Sequence, residues 1–416
     1  MSTTFDRIRG EMVAGGALGE DDPTVGGAQA ALRLTVLAAL FVLLLWASPW
    51  AFVFVIGLLI SIFLHELGHF VSARKSGMKV TQFFIGMGPR LWSFRRGEVE
   101  YGVRALPIGA FVRIVGMNNL DPAEPADQAR AYMNQTYPRR MITICAGVLM
   151  NLALAVVLLF GVYATYGERG ETGRVGVSGV APDTAAAAAG LQRGDIYVSI
   201  DGHAISSYVD VSAAISAHQP GDTIEVVVER DGRTEPLQAT LGEHPNPEVT
   251  TAFLGVTSGD ELGWHKQSIA SAAVGSVTDL GDAARRIVAS LPIVFNPVNV
   301  FEHVTGERTD PNTQPVTVVG VSRLSAIIGS ESGLGGVLMT LGGINVMLAL
   351  LNMVPLLPFD GGHAAMATYE RLRSRKGQPQ YHADANKLVP VAMAVLSLVV
   401  FVMLAGLWLD IVRPVR

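Results

Sequence analysis

Residues 65–69 read His-Glu-Leu-Gly-His. Residues four apart on an α-helix share a face, so His65 and His69 can both turn toward one metal ion. Glu66 stands beside them, where its carboxylate can act on a water without ligating the metal. This is the spacing of zinc metalloproteases. The motif sits at the end of an apolar run, 51–73, that is nearly free of charge up to His65. Ionisable groups are costly inside a membrane, and function is the usual reason to keep them there. A catalytic zinc takes three protein ligands and leaves a fourth position open. The candidate third ligand is Asp360, in the run LNMVPLLPFDGGH at the end of a later apolar segment, where Gly361 and Gly362 permit a sharp turn. His363 is the alternative ligand, or a partner that supports one.

The elements that must bring these residues together are apolar segments long enough to cross a bilayer, which takes about 20 residues as a helix. Five qualify, at 28–48, 51–73, 141–163, 336–360 and 389–411. Residues 74–140 carry eleven Lys and Arg against five acids, and the loop 361–388 adds Arg371, Arg373, Arg375, Lys376 and Lys387. Lys and Arg favour the cytoplasmic side. That rule places the N-terminus and both basic loops inside, with residues 164–335 and the C-terminus outside; Arg413 and Arg416 run against it. The HELGH end and Asp360 then lie at the same, cytoplasmic depth, although 290 residues separate them.

Composition agrees with a membrane protein. Half of the 416 residues are hydrophobic and 16% are charged, where a soluble domain carries about 25%. A net charge of −5 argues against nucleic acid as a partner. The single cysteine, Cys145, excludes an intrachain disulfide. Residues 1–27, with Glu20, Asp21 and Asp22, read as a disordered cytoplasmic tail. Residues 78–115 read as short strands broken by Gly-Pro and Arg-Gly turns; they form either an ordinary cytoplasmic hairpin or a sheet whose edge pairs with an extended substrate. Outside, 164–245 alternates like a small soluble domain, with strands at VGVSGVAP and TIEVVVERDG and a short helix ending at Gly190. Residues 246–335, interrupted by Pro292, Pro297, Pro311 and Pro315, read as a membrane-surface region or a covering linker.

Together, HELGH, FFIGMGP at 83–89, NMVPLLPFDGG at 352–362 and GLQRGD at 190–195 resemble the site-2 protease family, regulated intramembrane zinc metalloproteases, over most of residues 51–411. The likeness is strongest to the bacterial, sigma-factor-activating type. It implies a polytopic α-helical membrane protein with a membrane-associated β-sheet at 74–140 and one extracytoplasmic PDZ-like α/β domain. It further implies Zn2+ on His65, His69 and Asp360, Glu66 as the catalytic residue, and Asn352 as a residue that holds the substrate. Its partners would be the lipid bilayer, a membrane-protein substrate such as an anti-sigma factor or a remnant signal peptide, and an upstream site-1 protease. The expected location is the inner cell membrane. Residues near Val177–Val180 are the expected peptide-binding loop of the PDZ-like domain, which would act as a size filter or bind a new C-terminus. The sequence departs from the family in the spacing of Pro355 and Pro358, one residue wider than the commonest pattern, and in the added span at 28–48. Two readings compete with catalysis: a catalytically silent membrane scaffold that recruits partners through the PDZ-like domain, and a transporter, for which the expected internal repeat is missing.

Overall fold

The computed structural model describes residues 27–117, 123–246, 249, 251–310, 313–374 and 380–414, with backbone alone at 107–108. The tail expected at 1–27 lies outside them except for Gly27, as do Arg375, Lys376 and Arg416. Five helices among these residues are long and apolar enough to cross a membrane. They are α1 (Gly27–Ala47), α2 (Pro49–Lys75), α3 (Tyr137–Thr165), α8 (Val318–Asn352) and α10 (Val389–Val412). Ser48 separates α1 from α2: its hydroxyl caps the Ala51 N–H, and Pro49 fills the first helical position, where a missing N–H costs nothing. α1 is almost wholly exposed and only Ala30 is buried, as befits a helix whose surroundings are lipid.

The chain divides into two compact units, one of residues 1–163 and 269–416 and the other of Ala164–Ser268. In the first, α2 packs along α8 through Phe54, Val337 and Leu341. At Gly57 a β-carbon would strike the Leu341 side chain, so the absent side chain sets how near the two axes come. One polar contact crosses the same interface, from Asn345 Nδ2 to Ser61 Oγ, at 2.9 Å. α8 is 35 residues long and is broken at Gly333, whose φ of 63° and ψ of −157° leave the helical region.

The region between α2 and α3 holds β1 (Val80–Arg96) and β2 (Val99–Ile114). Each long strand doubles back on itself. Phe83 lies opposite Val112 on one side and Tyr101 on the other, while Trp92 lies opposite Val103. Four short segments thus lie side by side, with 90–96 and 110–114 at the edges. The bends fall where Gly86, Gly88 and Gly109 adopt positive φ. Phe70, Phe83 and Tyr132 help pack this sheet against the end of α2.

The second unit is a six-stranded sheet in the order β7-β6-β4-β3-β8, with β5 beside β4. Its elements are β3 (Glu168–Val180), α4 (Ala185–Ala189), β4 (Ile196–Ile200), β5 (His203–Ala204), α5 (Tyr208–Ser216), β6 (Thr223–Arg230), β7 (Arg233–Thr240) and β8 (Val256–His265). Asp195 is buried and holds the Arg230 guanidinium at 2.6 Å while accepting from the Gln192 N–H. Asp210 closes a capping box on α5, and the Ser206 and Ser207 N–H groups that it accepts hold its pKa down to about 2.

Several boundaries differ from those read in the sequence. The domain expected to end at 245 continues through β8, because β8 completes the sheet beside β3. Val177–Val180, read both within the strand VGVSGVAP and as the vicinity of the peptide-binding loop, are strand residues of β3 between β4 and β8. The 246–335 stretch contains α6 (Ile269–Val294) and α7 (Pro297–Thr305), bent by 70°, and also the first half of α8. The span expected over 336–360 stops at Asn352, since Pro355 and Pro358 cannot supply the N–H groups that continue a helix. Asp360 instead opens a separate helix, α9 (Asp360–Arg373).

A buried carboxylate fastens the last helix to α8. Asp410 of α10 is 1% exposed and accepts from the Thr317 N–H at 2.9 Å, the Thr317 hydroxyl at 2.5 Å and the Gly320 N–H at 3.0 Å, serving as the N-terminal cap of another helix. Asp410→Ala strands these three donors and should lower stability in detergent by about 3–9 kcal/mol, at 1–3 kcal/mol for each unsatisfied buried group. Asp410→Asn keeps an acceptor oxygen and should lose less than half of that. Denaturant titrations in which all three proteins coincide would refute this role for Asp410.

Candidate metal centre

α2 buries one stripe of its surface, and Ser61, His65, Gly68, His69 and Ala73 lie along it. This repeat of three and four residues brings the two imidazoles onto the face that meets α3. The His65 and His69 Nε2 atoms are 3.1 Å apart, and each is 3.1 Å from Asp360 Oδ2. Both histidines are buried, and Asp360 is partly so. Three ligand atoms from two distant parts of the chain therefore meet at one point.

The His69 ring is fixed from behind. Its Nδ1 lies 2.8 Å from the Thr143 carbonyl oxygen, which can only accept, so Nδ1 carries the proton and Nε2 presents a lone pair to the cluster. His65 Nδ1 is buried without a hydrogen-bond partner among the described residues. The His69 Nε2 lone pair and the Asp360 carboxylate face each other with a second imidazole beside them, and a cation held between them would offset their repulsion. A tetrahedral zinc about 2.0–2.1 Å from each ligand would set the ligands roughly 3.3 Å apart. The observed triangle is within a few tenths of an ångström of that size, and its donor set suits zinc.

Two glycines make room. A β-carbon on Gly147 of α3 would clash with His69 Nε2 and would come within 2.7 Å of His65 Nε2. One on Gly68 would lie 2.6 Å from the Ala146 carbonyl oxygen. Bare backbone at both positions lets α2 and α3 approach closely enough for the imidazoles to fit between them.

Asp360 is delivered by a proline-broken stretch. α8 ends at Asn352, and α9 begins with Asp360 in its first turn. At Gly361 a β-carbon would collide with the Met353 and Val354 carbonyl oxygens, and at Gly362 it would crowd the Leu357 N–H and Leu356. The start of α9 therefore packs directly on the main chain of the preceding turn.

Glu66 follows His65 in sequence and is half-buried. Its carboxylate lies near the Val112 N–H, on the 110–114 edge of the sheet. Asn352 is the last residue of α8 and half-buried, and its side chain makes no hydrogen bond among the described residues. His363 is buried one turn beyond Asp360 with an unpartnered Nδ1, and it is not in the converging group. Sequence reasoning missed Thr143 and Gly147. The first acts through its carbonyl, which any residue supplies, and the second is one small residue in the apolar run ICAGVLMN.

The sequence matches peptidase family M50 over residues 53–399. Zinc metalloprotease Rip1 of Mycobacterium tuberculosis is 34% identical over 401 residues, spanning 87% of this chain and 97% of its own length. Rip1 of Mycolicibacterium smegmatis is 32% identical over 399 residues, with the same coverage of 87% and 97%. Among solved structures, the PDZ domain of the SdrC-like protein from Listeria monocytogenes is 26% identical, covering 21% of this chain and 90% of that one, with a TM-score of 0.20. A membrane-spanning chain with HELGH and Asp360 drawn to one point is thereby placed among its relatives: it belongs to peptidase family M50, the site-2 protease family of zinc metalloproteases.

Proposed function

We propose that His65, His69 and Asp360 hold the zinc ion and that Glu66 moves the proton in hydrolysis of peptide bonds in or near the transmembrane helices of other membrane proteins. The observation that carries this reading is the meeting of three ligand atoms at the end of a helix apolar enough to cross a membrane. The chemistry that a zinc ion supplies at such a site is Lewis acidity, which polarises a carbonyl and lowers the pKa of a water toward neutrality. Glu66 takes the proton of the attacking water and passes it to the leaving amine. Val112, on the sheet edge, lies beside that carboxylate. Thr143 keeps His69 in the tautomer that offers Nε2.

A helical substrate hides its carbonyls in its own hydrogen bonds and must be unwound before attack. The 110–114 edge beside Glu66 offers main-chain groups to an extended strand, and Asn352 is suited to hold the same strand from the end of α8. Orientation follows the Lys and Arg distribution, with the N-terminus and the α9 side cytoplasmic and the Ala164–Ser268 unit extracytoplasmic. That unit reads as PDZ-like from its GLQRGD turn and antiparallel sheet, and serves as a size filter or as a receptor for a chain end. An anti-sigma factor already trimmed by a site-1 protease, or a remnant signal peptide, fits such an arrangement. A silent scaffold has no need of the complete set of His65, Glu66, His69 and Asp360.

Two measurements test the site. A single-pass helical reporter, trimmed outside the membrane, is co-expressed with wild type or Glu66→Gln in a bacterium lacking related proteases. Cleavage should fall by about 10²–10⁴-fold in Glu66→Gln while zinc content is unchanged; equal cleavage would remove Glu66 from the reaction. Gly147→Ala places its methyl among the imidazole nitrogens and should weaken zinc binding at least about tenfold, the scale seen when the surroundings of metal ligands are altered. Chelator competition with wild-type affinity in that variant would contradict the assigned metal position.

A further inference from the structure

Asp360 reaches the cluster from the first residue of a 14-residue helix that follows a proline-broken turn. Packing of Gly361 and Gly362 on the preceding turn holds the near end of α9 but leaves the direction of its axis to be set by a second anchor. Its far half is tied to the start of α3. Arg140 Nη1 donates to Glu370 Oε2 at 2.7 Å, and Tyr137 Oη lies 3.2 Å from Thr368 Oγ1. Arg140 is 1% exposed and Glu370 3%. The guanidinium carbon lies 4.8 Å from the centre of the buried Tyr132 ring, and the Ala383 N–H donates to Glu370 Oε1 at 2.7 Å. Both carboxylate oxygens are engaged.

Burying two charges is costly, and apolar side chains of similar volume often stabilise as well or better. What an ion pair adds is a directed contact that admits one register. The two helices it joins are those that shape the cluster: Arg140 lies one turn before Thr143, which holds His69, and Glu370 lies about 15 Å along α9 from Asp360. We propose that the Arg140–Glu370 pair is a positioning device that sets the register of α9 against α3 and so keeps Asp360 within reach of the metal held by His65 and His69. The proposal rests on the reading that these three residues bind zinc. Arg140 and Glu370 touch neither substrate nor metal.

The full-length chain, purified in detergent, is titrated with zinc against a chromophoric chelator, and its cobalt(II) form is followed by visible absorption. Glu370→Gln should bind zinc at least about tenfold more weakly than wild type, the scale for residues behind metal ligands. Its cobalt bands should also change in position and intensity as the third ligand withdraws. The Arg140→Met/Glu370→Leu double variant separates register from stability: it should unfold no earlier than wild type yet show the same weakened zinc binding and altered cobalt spectrum. Arg140→Lys, which retains the charge, is read in the same way if the other variants fail to fold. Folded variants with wild-type zinc affinity and cobalt spectrum would overturn the positioning role. His65→Ala, measured beside them, should lose zinc; if it binds as wild type does, the metal site itself is misassigned and the clamp is not what failed.

Discussion

His69 Nε2 and Asp360 Oδ2 both offer lone pairs across 3.1 Å in a region of low dielectric, an arrangement that a proton or a cation between them must offset. The surrounding chain must supply the constraint. It does so from three directions: Thr143 fixes one ring, the helical period of α2 fixes the spacing of the two rings, and the packed start of α9 fixes the carboxylate. Two neutral imidazoles and one carboxylate also leave a divalent cation only partly neutralised, which keeps it a strong Lewis acid.

Close approach is the second requirement, and it is met by leaving side chains out. Gly68 and Gly147 let α2 and α3 meet where the imidazoles need space, and Gly57 serves the α2–α8 contact higher on the same helix. In lipid, where burying apolar surface gives helices little reason to associate, such backbone proximity and the occasional hydrogen bond, here Asn345 to Ser61, carry the association. The same residues that specify the fold therefore also define the volume available to a metal.

The meeting of His65, His69 and Asp360 was legible in the sequence to the extent that it rests on local rules. A four-residue spacing on a helix needs no tertiary information, and charge placement put Asp360 at the same depth. The number of long apolar helices followed from length and hydropathy for the same reason. What escaped depended on contacts between distant segments. The end of α8 at Asn352 and the new start at Asp360 follow from prolines whose effect was read as a turn within one span. The doubling of β1 and β2 depends on pairing partners that no single strand reveals. β8 belongs to the second unit only because β3 has a free side to receive it. Arg140 was counted only among the basic residues that set orientation and Glu370 was not singled out, since burial against a partner 230 residues away leaves no local trace.

The break at Gly333 divides α8 into two rods with different anchors. The first, beginning at Val318, is tied to α10 through Asp410, and the second, ending at Asn352, is tied to α2 through Asn345 and Ser61. An unbroken helix is a stiff lever, so a tilt imposed at one end would sweep the other end sideways. The second rod is about 28 Å long, so a tilt of a few degrees would displace its Asn352 end by more than an ångström. The glycine joint lets the rod packed beside His65 and His69 on α2 take a direction different from that of the rod capped by α10.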